Sequence, residues 1–301
     1  MAEASARVVV VTGASLWQQR LVRIGAGLRR APLLPSLVLG VLLIFALFSP
    51  LIAPHRPVAV NMANSFAPPA WHSEGSSSHI LGTDKLGRDI FSRLVYGARV
   101  SLSLSLLIIL IGGGAGTLLG LLSGYSGKKT DAVIQRGVEV ILAMPTILVA
   151  LVFVYTFGPS FTSVMLVLSP FLAARFTRIV RGETLSVRER DYVAVAKVIG
   201  SPTYRILLRH ILPNVFNTVI VLATLEVGHL ILLEASLSFL GVGVPPPNPA
   251  WGLMVADGRD YIASAYWIAL FPGLAILFAV LSLNLFGDWL RDTLDPRRRQ
   301  L

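Results

Sequence analysis

Cysteine is absent from the 301 residues. Disulfides, thiolate nucleophiles and cysteine-based metal centres are thereby excluded, and redox compartment cannot be read. Charge is almost as scarce. Charged residues make up 14% of the chain, against about 25% in an average soluble domain. The acidic sign is the rarer one, with 16 Asp and Glu facing 26 Lys and Arg. In a soluble protein the resulting net charge of +10 would suggest nucleic acid. Here no aromatic-studded basic surface accompanies it, so nucleic acid is not expected as a partner.

What fills the chain is apolar. Hydrophobic residues reach 54%, and mean hydropathy is +0.71. That composition belongs to an all-α integral membrane protein. About 20 apolar residues cross a bilayer core as helix, and six segments qualify. They are residues 33–53, 100–122, 138–157, 161–174 with an extension to 180, 215–233, and 266–285. The fourth carries Arg175 and Arg178 in its last turns, and both are expected to snorkel to the interface.

Six transmembrane helices put both termini on one side, and the basic residues choose that side. With both ends inside, cytoplasmic parts hold 20 Lys and Arg, and outer parts hold 6. The N-in, C-in arrangement gives a cytoplasmic tail over 1–32, a first transmembrane helix over 33–53, and an extracytoplasmic segment over 54–99. A transmembrane core over 100–290 follows, with a cytoplasmic loop at 182–214 and a C-terminal tail at 291–301. The segment 33–53 is too long for a cleaved signal core and reads as an uncleaved anchor. In the tail before it, Trp17, Leu21, Ile24 and Leu28 recur at helical spacing and suggest a surface-lying helix.

One cytoplasmic stretch is unusual, because it is long, basic and helix-prone. Asp191-Tyr192-Val193-Ala194-Val195-Ala196-Lys197-Val198-Ile199 has helix formers, with Val193, Ala196 and Ile199 on one face. Gly200 breaks the pattern. Ser201 then serves as a cap with Pro202 at the first helical position. A second helix over about 202–212 carries Arg205, Arg209 and His210, and Pro213 follows at the start of the fifth span. Two helices around a glycine corner make a shaped knob suited to a partner's groove.

Other residues carry competing readings. Gly112, Gly116, Gly120 and Gly124 recur every four residues and predict close helix packing. Glu226 and His229 share a face of the fifth span and can pair with each other. Lining a solute pathway and satisfying an interhelix hydrogen bond both fit them, and two ligands without a third do not make a metal site. Glu234 lies near the outer end of that span, where a structural role and solute contact both fit. Met144-Pro145 and Phe271-Pro272 lie inside spans and predict kinks. His55, His72 and His79 fall in the outer segment at spacings that match no metal motif. Gly127-Lys128-Lys129-Thr130 is not a phosphate loop, since Leu122 and Lys129 stand where Gly and Ser or Thr are required. No internal repeat marks a secondary transporter, and no nucleophile stands beside Glu226 and His229 to make an intramembrane enzyme.

Ala194-Val195-Ala196, three residues, Gly200, then Leu212-Pro213 resembles the cytoplasmic "EAA" loop of ABC-importer permeases. Its pattern is Glu-Ala-Ala, three residues, Gly, nine residues, Ile, one residue, Leu-Pro. Ala194 replaces the Glu, Val195 the first Ala and His210 the Ile, while the spacing is intact. Leu81-Gly82-Thr83-Asp84-Lys85-Leu86-Gly87-Arg88-Asp89, Ala235-Ser236-Leu237-Ser238-Phe239-Leu240-Gly241, Phe271-Pro272-Gly273 and Asn284-Leu285-Phe286-Gly287-Asp288 resemble further blocks of the dipeptide, oligopeptide and nickel branch, in its "C" type.

The resemblance implies a type I importer permease fold in a bacterial or archaeal cytoplasmic membrane. This chain would be one of two pore subunits and would have no catalytic residue. A sister permease, two cytosolic ATPases and an extracytoplasmic binding protein would complete the machine. ATP and Mg would be bound by the ATPases, and no cofactor or metal by this chain. Asp191, Tyr192, Ala194, Ala196, Lys197, Gly200, Arg205, Arg209 and Pro213 would form the coupling element. Glu226, His229 and Glu234 are the solute-pathway candidates. Di- and oligopeptides are the expected solutes; glutathione, nickel chelates and other small solutes are the alternatives.

Overall fold

The computed structural model describes residues 32–294. The expected surface helix around Trp17 and Leu28 lies outside them, as does the C-terminal tail from residue 295. Among the described residues the fold is helical, and its only bridge is the isolated pair Thr83 and Asp89.

Among the described residues, nine helices carry the architecture. They are α1 (Leu33–Ile52), α2 (Ile90–Tyr125), α3 (Lys128–Ala143), α4 (Thr146–Phe157), α5 (Phe161–Arg188), α6 (Asp191–Val198), α7 (Thr203–Phe239), α8 (Trp251–Gly258) and α9 (Trp267–Leu294). Helices α1, α2, α5, α7 and α9 are each long and apolar enough to cross a membrane. Helices α3 and α4 pass the same test only as a pair, bent by 84° between them, which makes them a broken sixth span or a re-entrant turn. The bend lies at Met144-Pro145, where both residues take extended backbone angles. A kink was expected there, but the helix stops altogether. Proline disfavours helix at the residue before it as well as removing a donor. Pro272 behaves differently and lies inside the continuous α9.

Two helices are longer than hydropathy suggests. Helix α2 opens at Ile90, so residues 90–99 are helical and continuous with the span. Asp89 caps it, its Oδ2 accepting from the Ser92 amide at 2.8 Å. Helix α7 begins at Thr203, so residues 203–212 are the first turns of the fifth span and not a separate helix. A π-helical segment over Ile206–Ile211 absorbs the break in register just before Pro213. Pro202 is the cap position and no side chain caps the helix, so Ser201 does not have its expected role.

The packing of α2 on α5 follows from the glycine stripe. A Cβ on Gly112 would lie 2.5 Å from the Ser169 carbonyl oxygen, and one on Gly116 would lie 2.4 Å from that of Ala173. At Gly120 and Gly124 it would meet the Cβ atoms of Val180 and Thr184 at 2.7 and 2.6 Å. Backbones this close leave room only for hydrogen. The Thr177 hydroxyl, which donates to Ala173 at 2.7 Å, also lies 3.2 Å from the Gly116 carbonyl on α2.

The outer segment is tied down by its charged loop. Asp84 Oδ1 accepts from the amides of Leu86 and Arg88 at 2.9 and 3.0 Å, and Gly82 and Gly87 take positive φ. Arg88 donates to Asp84 at 2.6 Å and to Asp257 of α8 at 3.3 Å. The buried Arg93 lies 3.7 Å from both of those carboxylates. Trp267 Nε1 donates to the Thr83 carbonyl at 3.0 Å, joining α9 to the same loop. These contacts balance Arg residues that the charge count leaves on the outer side.

Candidate functional site: a helical knob and a charged cavity

The knob is built from its inner face outward. Val193 and Ala196 of α6 are buried in an apolar cluster with Leu121 of α2, Val187 of α5 and Ile206 and Ile211 of α7. Lys197 Nζ lies 5.2 Å from the centre of the Tyr125 ring, a second tie to α2. Helix α6 ends in a Schellman turn. The Gly200 amide donates to the Lys197 carbonyl at 3.0 Å, and the Ser201 amide to that of Ala196 at 3.1 Å. Gly200 takes φ +75, the left-handed region that glycine enters without strain.

The outer edge of the knob is apolar and uncovered. Val198 is 87% exposed, Ile199 73% and Val195 59%, and Tyr204 and Leu208 of α7 are exposed as well. Asp191, Tyr192, Ala194, Lys197, Gly200, Arg205, Arg209 and Pro213 are also exposed. Of the nine residues expected to couple, Ala196 alone faces inward. Ile199 was expected on its face but points outward instead, because the helix has already ended at Val198. Val195, Val198 and Tyr204 were not singled out from the sequence. For Val195 and Val198 the signal was an apolar residue on the polar side of a short helix.

The second feature lies at membrane depth. Glu226 of α7 does not pair with His229. Its carboxylate receives Arg175 Nη1 of α5, at 3.4 and 3.3 Å to its two oxygens. Arg175 therefore turns into the bundle and does not snorkel. His229 Nε2 is buried and has no hydrogen-bond partner among the described residues. Arg175, Glu226 and His229 share a cavity with Thr146, at the start of α4, and Phe171. Both signs of charge and a free imidazole nitrogen thus face one small space. Glu234 is elsewhere. It is 2% exposed, accepts from the Ser238 hydroxyl at 2.6 Å through Oε1, and leaves Oε2 unpartnered.

Comparison with known proteins places these features in a family. Residues 116–300 match the family described as the binding-protein-dependent transport system inner membrane component. The di/tripeptide transport system permease protein DppC of Pseudomonas aeruginosa is 40% identical over 265 residues, covering 88% of each chain. The dipeptide transport system permease protein DppC of Escherichia coli is 43% identical over 260 residues, covering 86% of this chain and 87% of its own. Among solved structures, an amino acid ABC transporter crystallised with histidines aligns with a TM-score of 0.50 at 18% identity, covering 70% of this chain and 95% of the other. That likeness concerns the fold alone. Family match, helical architecture and extensive identity agree: the chain belongs to the binding-protein-dependent transport system inner membrane components, the multi-pass permease subunits of ABC importers.

Proposed function

We propose that the chain is one pore subunit of an ATP-driven, binding-protein-dependent importer of di- and oligopeptides in a bacterial cytoplasmic membrane. A sister permease forms the other half of the pore. Two cytosolic ATPases bind ATP and Mg, and an extracytoplasmic binding protein delivers the solute. The chain itself holds no cofactor. Both termini lie inside, which sets the knob formed by α6 and the start of α7 in the cytoplasm.

The knob carries this reading. Its inner face is packed into the ends of α2, α5 and α7, while its outer edge offers an exposed apolar strip. An ATPase groove that grips the strip moves three membrane helices at once. Continuity of α7 from Thr203 to Phe239 makes part of the knob a rigid lever on the span that bears Glu226 and His229. A flexible loop would dissipate the same displacement.

Peptide as solute is supported by the names of the relatives, which are permeases of di- and tripeptide transport systems. Arg175, Glu226 and His229 line one small space between the spans, where Arg175 and Glu226 satisfy one another. Glu234, apart from them, acts at the outer gate through Ser238.

The test is the complex itself. The tagged chain is extracted gently and its companions are identified by mass spectrometry, and the complex is then reconstituted for uptake of a labelled dipeptide. Arg205→Glu and Gly200→Trp are expected to abolish uptake and uncouple ATP hydrolysis while insertion is unchanged. Normal uptake in both variants would overturn the coupling assignment. Recovery of the chain alone, moving solute without ATP, would overturn the importer.

A further inference from the structure

The outer segment brings together side chains that sequence spacing kept apart. His55 follows the end of α1, and His79 precedes the charged loop. Their rings lie 4.8 Å apart between centres, tilted by 35°. Asp89, the cap of α2, stands between them. Its Oδ1 is 3.0 Å from His79 Nδ1, and its Oδ2 is 3.8 Å from His55 Nδ1. One donor atom from each of the three lies within 4.8 Å of the others.

We propose that His55, His79 and Asp89 form a binding site for a divalent transition cation of the zinc type, on the outer face of the permease. Two imidazoles and one carboxylate are borderline donors, which suit Zn²⁺ and its neighbours and not Ca²⁺ or Mg²⁺. Bonds of about 2.0–2.2 Å in a tetrahedral site set donor atoms roughly 3.3 Å apart. The pair His79 and Asp89 already meets that spacing. His55 has to close by up to about 1.5 Å, from within 4.8 Å of the others to that spacing, around the same metal. Its side chain is 40% exposed and free to swing, and the exposure leaves the fourth position open to water or to a group on a docked partner.

The surroundings support the three ligands as outer partners of a metal site do. Asp89 Oδ2 is held by the Ser92 amide and hydroxyl at 2.8 and 2.7 Å, which fixes the carboxylate and leaves Oδ1 aimed at His79. The Ser92 hydroxyl also receives the His55 backbone amide at 3.1 Å, anchoring that residue beside the site. On the far side of His79, Nε2 lies 3.3 Å from the Asn64 side-chain amide. With the amide turned, Asn64 Oδ1 accepts the Nε2–H of a metal-bound imidazole. Coordination through Nδ1 requires the Nε2–H tautomer, so the imidazole proton that faces Asp89 Oδ1 moves to Nε2 as the cation takes its place. The bound ion would staple the chain just after α1 to the start of α2, closing the outer segment against the bundle.

The experiment uses the full chain in its purified complex, stripped with chelator and titrated with Zn²⁺ by calorimetry. Thermal unfolding is followed in parallel. His55→Ala removes one exposed ligand and keeps the contact between His79 and Asp89, so it is expected to fold. His72→Ala serves as the control, since His72 is an outer histidine apart from the cluster. The expected result is saturable binding of one ion per chain in wild type and His72→Ala, and binding about tenfold weaker or lost in His55→Ala. Zn²⁺ should raise the unfolding midpoint of the first two proteins only. Equal binding in wild type and His55→Ala, or no saturable binding in wild type, overturns the site.

Discussion

Arg175 of α5 reaches across to Glu226 of α7, 51 residues away in sequence, and donates to both carboxylate oxygens at 3.4 and 3.3 Å. The pair joins two spans at membrane depth. Glu226 is nearly covered, with its side chain 12% exposed, whereas that of Arg175 is 36% exposed. Removing one partner leaves the other charge in a poor solvent. Glu226→Ala and Arg175→Ala should therefore each lower the thermal midpoint of the complex, and the double variant should recover part of the loss. Partial solvation of Arg175 holds the coupling to about 1–2 kcal/mol, below that of a fully buried pair. Additive losses in this double-mutant cycle would show the two charges to be independent.

Two glycines on α2 separate crowding from glycine chemistry. A Cβ on Gly116 would clash with the Ala173 carbonyl at 2.4 Å, whereas one on Gly114 meets nothing within 4 Å. Gly116→Leu is expected to cost about 2 kcal/mol or more by forcing α2 off α5. Gly114→Leu should be tolerated, and should even favour helix. The yield of monodisperse complex in detergent compares the two directly.

Gly200 poses the opposite case. Nothing lies within 4 Å of its notional Cβ, yet φ is +75. The expected cost of Gly200→Ala is about 1–2 kcal/mol, wholly from the left-handed backbone. Gly200→Asn should cost less, because Asn visits this region more readily. If Ala and Asn variants unfold at the same temperature, the Schellman turn is not maintained by glycine's freedom.

The two faces of α6 should fail in different ways. Val198 is 87% exposed and Ala196 only 3%. Val198→Asp is expected to leave the melting temperature within a degree or so, since exposed sites generally change stability by about 0.5 kcal/mol or less. It should nonetheless abolish peptide-stimulated ATP hydrolysis. Ala196→Asp buries an unpaired carboxylate and should destabilise the chain outright. A Val198→Asp complex with normal stimulation would remove the exposed strip from the coupling surface.

Asp257 of α8 balances Lys85, Arg88 and Arg93, at 3.3, 3.3 and 3.7 Å. The arginine side chains are almost fully covered, at 7% and 2% exposure. Asp257→Asn should cost about 3 kcal/mol by leaving buried cations short of a counter-charge. Protease nicking of the outer segment in right-side-out vesicles would report the loosening.

Much of this protein was legible from composition and order alone. Long apolar runs have one low-energy arrangement in a bilayer, because each backbone group must be bonded within its own helix. The spans could thus be counted before any contact was known, and the glycine stripe on α2 announced a close neighbour. Gly200 marked the corner of the knob, since a break in helix-forming sequence is a local property. Which neighbour met that stripe, and which residue met each charge, were decided only by tertiary packing. Glu226 and His229 share a helix face, yet Glu226 finds Arg175 on another span, and His55, His79 and Asp89 converge from separate loops. Spacing along a chain governs contacts within one helix turn. Contacts between elements depend on how the helices cross, and that is set jointly by all the surfaces that pack.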